Sequence, residues 1–196
     1  MLSELVRKHS KRFLEPLARL ISRLNISPNV ITIIGFLLMV GVAFVLANGY
    51  FLLAGILITG FAIFDAIDGT LARMMGRTSR FGAFLDSTLD RLSEAVIFLG
   101  LFIFFMQQGN QLELILIYAT VVGSLMVSYA RARAEGIGVP LKDGWFTRFE
   151  RIFVLVIGLL FNQVTVALLI LAVFTNLTAV QRMYLVWRIT GGEKGG

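Results

Sequence analysis

Apolar stretches at 30–47, 50–72, 81–106, 112–130, 146–162 and 164–187 follow one another with short connections. Each is long enough to be read as a bilayer-crossing helix, for which about 20 apolar residues suffice. A chain organised this way leaves no material for a separate water-facing domain. Of its 196 residues, 57% are hydrophobic and only 15% charged, too little polar surface to cover a soluble globule. The pattern predicts an all-α integral membrane protein with six transmembrane helices.

The segment ahead of them differs. Across residues 1–26, Leu2, Leu5, Val6, Phe13, Leu17, Leu20, Ile21 and Leu24 recur at helical spacing, with Arg7, Lys8, Lys11, Arg12, Arg19 and Arg23 supplying the other face. No continuous apolar run interrupts the charges, so this is read not as a signal peptide but as an amphipathic interfacial helix bent near Pro16. The expected organisation is a juxtamembrane helix at 1–26, a six-helix domain at 27–190 and a flexible tail at 191–196.

Charge fixes the orientation. The connections at 47–49, 107–111 and 162–163 carry no Lys or Arg, and all 18 cations lie toward the opposite side. The positive-inside rule makes that side cytoplasmic, together with both termini, in a multi-pass protein of the cell (plasma) membrane. The same asymmetry accounts for a net charge of +6 without nucleic acid, for which there is no motif. The chain has no Cys and a single His, which removes disulfides, thiolate metal sites, Cys nucleophiles and imidazole-rich metal sites. The absence of an internal repeat speaks against a transporter built from inverted halves.

Carboxylates inside apolar spans are costly and mark function. Asp65 and Asp68 lie three apart on the second span, and Asp86 and Asp90 four apart on the third, so each pair occupies one helix face. The turn between these spans is short and makes them antiparallel neighbours able to bring the pairs together. Four converging carboxylates need protons or hard cations as company. An all-oxygen donor set selects Mg²⁺, Mn²⁺ or Ca²⁺, and two such ions beside phosphate oxygens would suit phosphoryl transfer. Gly69 and Ala72 leave bare backbone on the stripe of Asp65, Asp68 and Arg73. Gly82 does the same one turn before Asp86, and Arg73 is a candidate phosphate clamp. Buried acids also serve proton or cation relays, so a cation transporter is the rival from another class.

The frame Asp65-x-x-Asp68-Gly69-x-x-Ala72-Arg73, eight residues, Gly82-x-x-x-Asp86-x-x-x-Asp90 resembles the complete signature of the CDP-alcohol phosphotransferase family. The resemblance implies an amphipathic helix followed by six spans, a homodimer, and exchange of CMP in a CDP-linked lipid for an alcohol. It implies that Asp65, Asp68, Asp86 and Asp90 hold two divalent cations, Mg²⁺ or Mn²⁺, and that Asp90 accepts the proton of the acceptor hydroxyl. Gly69, Ala72, Arg73, Thr78 or Ser79, and Gly82 would contact the CDP-lipid donor. The element Pro28-Asn29-Val30-Ile31-Thr32, similar to one that opens the first span in relatives, would lie near the nucleotide, although Ser-Pro-Asn is also an ordinary helix start.

Ser128, Arg131 and Arg133, then Arg148 and Arg151, cluster cations at the cytoplasmic mouth of spans four and five. Such loops are basic in most membrane proteins. Here, however, Ser128 shares a face with Arg131, and Arg148 with Arg151, as a second anion site requires. The segments around them are similar to phosphatidylinositol phosphate synthases and their archaeal ether-lipid counterparts. That likeness implies inositol 1-phosphate as acceptor, held by Ser128, Arg131, Arg133 and Arg151, with Arg148 in the same cluster and Arg182 or Arg188 completing the pocket. Many glycerol-phosphate-using relatives carry a Pro directly after the third Asp, and its lack after Asp86 departs from that resemblance and argues modestly against glycerol 3-phosphate, which stays the alternative acceptor. Glu94 continues the face of Asp86 and Asp90 and pairs with a neighbouring Arg in the simplest reading. Glu135 is placed to orient Arg131.

Overall fold

A computed structural model describes residues 27–74, 79–141 and 144–191 of the chain, with side chains for all of these except 28 and 63–74. The expected juxtamembrane helix at 1–26, Thr78, and residues 192–196 of the tail lie outside the described residues. Every described element is helical: α1 Pro28–Ala47, α2 Phe51–Met74, α3 Arg80–Gln108, α4 Gln111–Gly136, α5 Arg148–Leu160 and α6 Val164–Thr190.

The helix ends follow local chemistry. Pro28 stands in the first turn of α1, behind an extended Ser27, where its missing N–H costs nothing. Ser79 caps α3 by accepting the Gly82 N–H at 2.9 Å. The uncharged connections fall where the sequence puts them. The α1–α2 turn uses Gly49 at φ 80° and α3 ends on Gly109 at φ 73°, a left-handed geometry that glycine adopts without strain.

Among the described residues the helix backbones close into a ring: α1 packs on α2 and α3, α2 on α5, α5 on α6, α6 on α4, and α4 on α3. Small residues allow the close approaches. A Cβ on Gly100 would stand 2.8 Å from the Ala43 Cα across the α1–α3 seam, and one on Gly123 would stand 2.8 Å from Asn176 Nδ2 across the α4–α6 seam. Leu46, Ala54, Ile58, Phe98, Leu101, Leu168 and Leu171 fill the interior, while Phe44, Tyr118 and Phe161 stay on the outside. Three described helices, Asn29–Ala47, Gln111–Gly136 and Val164–Thr190, are long and apolar enough to cross a membrane. α3 is longer still but carries the acidic residues.

α5 departs from the apolar run at 146–162. It has only 13 residues, about 20 Å at 1.5 Å per residue. Its start is set by Glu150, whose carboxylate accepts the Thr147 N–H at 2.8 Å and the Thr147 hydroxyl. The preceding loop is held on α6, where the Trp145 N–H donates to Gln181 Oε1 at 3.1 Å. Gly144 lies tightly against the Arg182 guanidinium: a Cβ there would be 3.0 Å from Nε and Nη2. The first residue of α5, Arg148, therefore meets Asp90, which is ten residues, about 15 Å, into α3. The short helix is itself a member of the ring, and Arg148 and Arg151 reach from it to the acids of α3.

Candidate active site

Asp86, Asp90 and Glu94 follow one another at single-turn spacing on α3, so they form one acidic ridge. Asp86 is exposed, and the Asp90 and Glu94 side chains keep 20% and 13% of their surface. Facing them, Arg148 and Arg151 are three apart on α5. Arg148 Nη1 donates to Asp90 Oδ2 at 2.5 Å, and Arg91 Nη1 lies 3.6 Å from the same oxygen. One turn deeper, Arg151 grips Glu94 with two parallel bonds, Nε to Oε1 at 2.6 Å and Nη2 to Oε2 at 2.8 Å. The Arg151 side chain retains only 3% of its surface. A guanidinium removed from water to this extent needs such a partner.

The acidic ridge is half of the expected metal centre. Asp86 and Asp90 offer hard carboxylate oxygens one turn apart on a face open enough to admit a ligand, a donor set suited to Mg²⁺ or Mn²⁺. Asp65 and Asp68 sit in the second half of α2, with Gly69, Ala72 and Arg73. Their side chains, and so the expected convergence of the two Asp pairs, lie outside the described residues. Among the described residues alone, no group of three or more His, Cys, Asp or Glu is gathered tightly enough to hold a metal.

Several expected donor contacts do come together. The N-terminus of α1 and that of α3 meet at Gly82, where an added Cβ would be 2.9 Å from Ser79 Oγ and 3.1 Å from Asn29 Oδ1. Val30, Ile31 and Thr32 continue from Asn29 along the first turns of α1, Ile31 and Thr32 half-buried and Val30 exposed. The Pro28 side chain and Thr78 lie outside the described residues.

The acceptor cluster divides. Arg182 is buried on α6, and its Nη1 donates to the carbonyl of Val127 at 2.5 Å, next to half-buried Ser128 on α4. Arg131 is held by Glu135 at 2.9 Å, one turn along α4, as expected, and both remain close to half exposed. Arg133 and Arg188 are exposed. Of the expected acceptor residues, Arg148 and Arg151 are therefore the two that reach the acidic ridge. The contact of Arg91 with Asp90 was not anticipated; its adjacency to Asp90 was the one available signal.

Residues 25–178 match the family model described as CDP-alcohol phosphatidyltransferase. An archaetidylinositol phosphate synthase of Pyrococcus horikoshii is 42% identical over 187 residues, covering 94% of this chain and 95% of its own. A phosphatidylinositol phosphate synthase of Corynebacterium glutamicum is 36% identical, covering 90% and 85%. The crystal structure of Mycobacterium tuberculosis phosphatidylinositol phosphate synthase with CDP-DAG bound superposes with a TM-score of 0.83 at 32% identity, covering 90% of this chain and 94% of that one. The same enzyme in complex with manganese and citrate gives 0.82, covering 89% and 88%.

Proposed function

Since the chain belongs to the CDP-alcohol phosphatidyltransferase family and is thereby a membrane transferase of substituted phosphate groups, we propose that it moves the phosphatidyl or archaetidyl group of a CDP-lipid to inositol 1-phosphate and releases CMP. The observation that carries this reading is the contact of Arg148 with Asp90. It sets a carboxylate able to take a hydroxyl proton beside a cation able to hold a phosphate. An acceptor bearing its own phosphate needs both.

In the proposed step the acceptor hydroxyl gives its proton to Asp90. Its oxygen forms a bond to the phosphorus that carries the lipid alcohol, and the bond from that phosphorus to the bridging oxygen breaks as CMP leaves. Asp65, Asp68, Asp86 and Asp90 would hold two divalent cations, Mg²⁺ or Mn²⁺, which supply charge neutralisation at the donor's phosphates when bound. Asn29, Ser79 and Gly82, with Pro28, Val30, Ile31, Thr32, Gly69, Ala72, Arg73 and Thr78, would orient the CDP-lipid. Ser128, Arg131, Arg133, Arg148, Arg151 and Arg182 would orient the acceptor's phosphate. Arg148 has a donor to spare, since its Nε is buried and makes no hydrogen bond among the described residues.

The proposal extends to the whole chain: six spans, a basic amphipathic helix at 1–26 on the cytoplasmic face of the cell membrane, a flexible tail at 191–196, both termini and the site inside, and a homodimer. The test is CMP release by the purified protein with Mg²⁺ or Mn²⁺ and CDP-diacylglycerol or its diether analogue. The acceptors compared are inositol 1-phosphate, free inositol, glycerol 3-phosphate and serine. Release with inositol 1-phosphate alone supports the reading, and release with another acceptor overturns the acceptor assignment.

A further inference from the structure

The acid and base ladders of α3 and α5 are matched rung by rung: Asp90 with Arg148, and Glu94 with Arg151. The two rungs differ in kind. In the outer rung Asp90 is shared between Arg148 and Arg91, with the Arg148 and Asp90 side chains partly open and Arg148 Nε making no hydrogen bond among the described residues. The inner rung is bidentate, with Arg151 at 3% and Glu94 at 13% exposure. α3 and α5 are not among the backbone-packed helix pairs of the ring; across its interior they are related by these side-chain bridges and by the buried cluster that Phe98 and Leu101 of α3 share with Leu155 and Leu159 of α5. A fork-to-fork pair fixes both distance and plane. The pair takes up Nε and one N–H of the second terminal nitrogen, so the first terminal nitrogen of Arg151 keeps both its N–H groups outside the grip.

We infer that Glu94 is a positioning residue for the acceptor: by clamping Arg151 it sets the depth and rotation of the first turn of α5, and through that turn it aims Arg148 at the acceptor's phosphate. Glu94 touches neither substrate nor reacting atoms. The inference rests on the proposed reaction, because it needs an acceptor that carries a phosphate. Glu94 is on the opposite side of Asp90 from the Ser79 and Gly82 end of α3, so the donor's contacts do not depend on it.

The test uses the full-length protein in detergent with CDP-diacylglycerol and inositol 1-phosphate, comparing wild type with Glu94→Gln and Glu94→Asp. Glu94→Gln keeps the shape of the clamp and removes its charge. It is expected to raise the acceptor KM by about 10- to 100-fold, the loss typical of a charged hydrogen-bonded pair. The KM for the CDP-lipid should stay within about twofold of wild type. Glu94→Asp, with its charge kept but its reach shortened, should fall between the two. A thermal-unfolding readout that needs no turnover accompanies it. Inorganic phosphate should protect the wild type and lose that effect in Glu94→Gln, whereas CDP-diacylglycerol protects both. A purely structural Glu94 would shift both KM values together, or remove protection by both ligands, and either result overturns the inference, as does an acceptor KM unchanged in Glu94→Gln. A wild type that releases no CMP with inositol 1-phosphate yet shows the phosphate protection lost on Glu94→Gln would overturn the acceptor assignment and leave the clamp standing.

Discussion

Arg148 Nη1 and Asp90 Oδ2 stand 2.5 Å apart although 58 positions separate them in the chain. The pair joins the first residue of α5 to the middle of the acidic ridge on α3, so the cation proposed to hold the acceptor's phosphate and the carboxylate proposed to take its proton are placed by one contact.

Replacing that carboxylate separates chemistry from folding. Asp90→Asn keeps the side chain's volume and an oxygen for Arg148, so the protein is expected to purify and melt near wild type. CMP release is expected to fall by about 10²- to 10⁴-fold, the range for losing a positioned base. Chelation with EDTA should abolish release in the wild type, and Mg²⁺ or Mn²⁺ should restore it. Full activity in Asp90→Asn would remove Asp90 from the reaction.

At the partner position, Arg148→Lys retains the charge but loses the planar fork and the spare Nε–H. The expected result is an acceptor KM raised by about tenfold, with the donor KM little changed. Steady-state kinetics varying each substrate in turn checks this, and equal effects on both substrates would count against it.

The ring itself is tested at Gly100. A methyl there meets the carbonyl oxygen and Cα of Ala43, both backbone atoms that cannot swing aside. Gly100→Ala should cost about 1–3 kcal/mol of stability through overpacking. Gly35→Ala is the control, since nothing stands within 4 Å of its added Cβ. It should be neutral or slightly stabilising, as alanine is favoured over glycine within a helix. Denaturation of both variants in the same detergent decides between them.

Topology is open to direct labelling, because the chain contains no Cys to interfere. A Cys placed at Asn110, in the connection between α3 and α4, is expected to react with a membrane-impermeant maleimide applied outside intact cells. A Cys at Lys194 should react only after the membrane is opened. The reverse pattern would invert the orientation that the cation distribution implies.

Much of this molecule is legible along the chain. The uncharged connections at 47–49, 107–111 and 162–163 become the turns α1–α2, α3–α4 and α5–α6 because Gly49, Gly109 and Asn162 take left-handed backbone there, a choice made by a few neighbouring residues. The pairing of Arg131 with Glu135 could also be read, since both sit one turn apart on a single helix. The start of α5 could be read in part. The Thr147-x-x-Glu150 capping box that begins it is a local pattern, whereas the bond from the Trp145 N–H to Gln181, which ties the preceding loop to α6, joins residues 36 positions apart.

The sequence by itself determined which segments are helices, where they turn, and which chemistry they carry, because periodicity, hydropathy and the fixed spacing of Asp86 and Asp90 are local properties of the chain. Only the tertiary structure decided which cation answers which acid. In a low-dielectric interior each of these charges requires a partner, but the requirement does not say which one, and several arginines were equally available by charge. The choice fell to packing. Close seams at Gly100 with Ala43 and at Gly123 with Thr175 and Asn176 set the helices around the ring, and a short α5 within that ring brings Arg148 to Asp90 and Arg151 to Glu94.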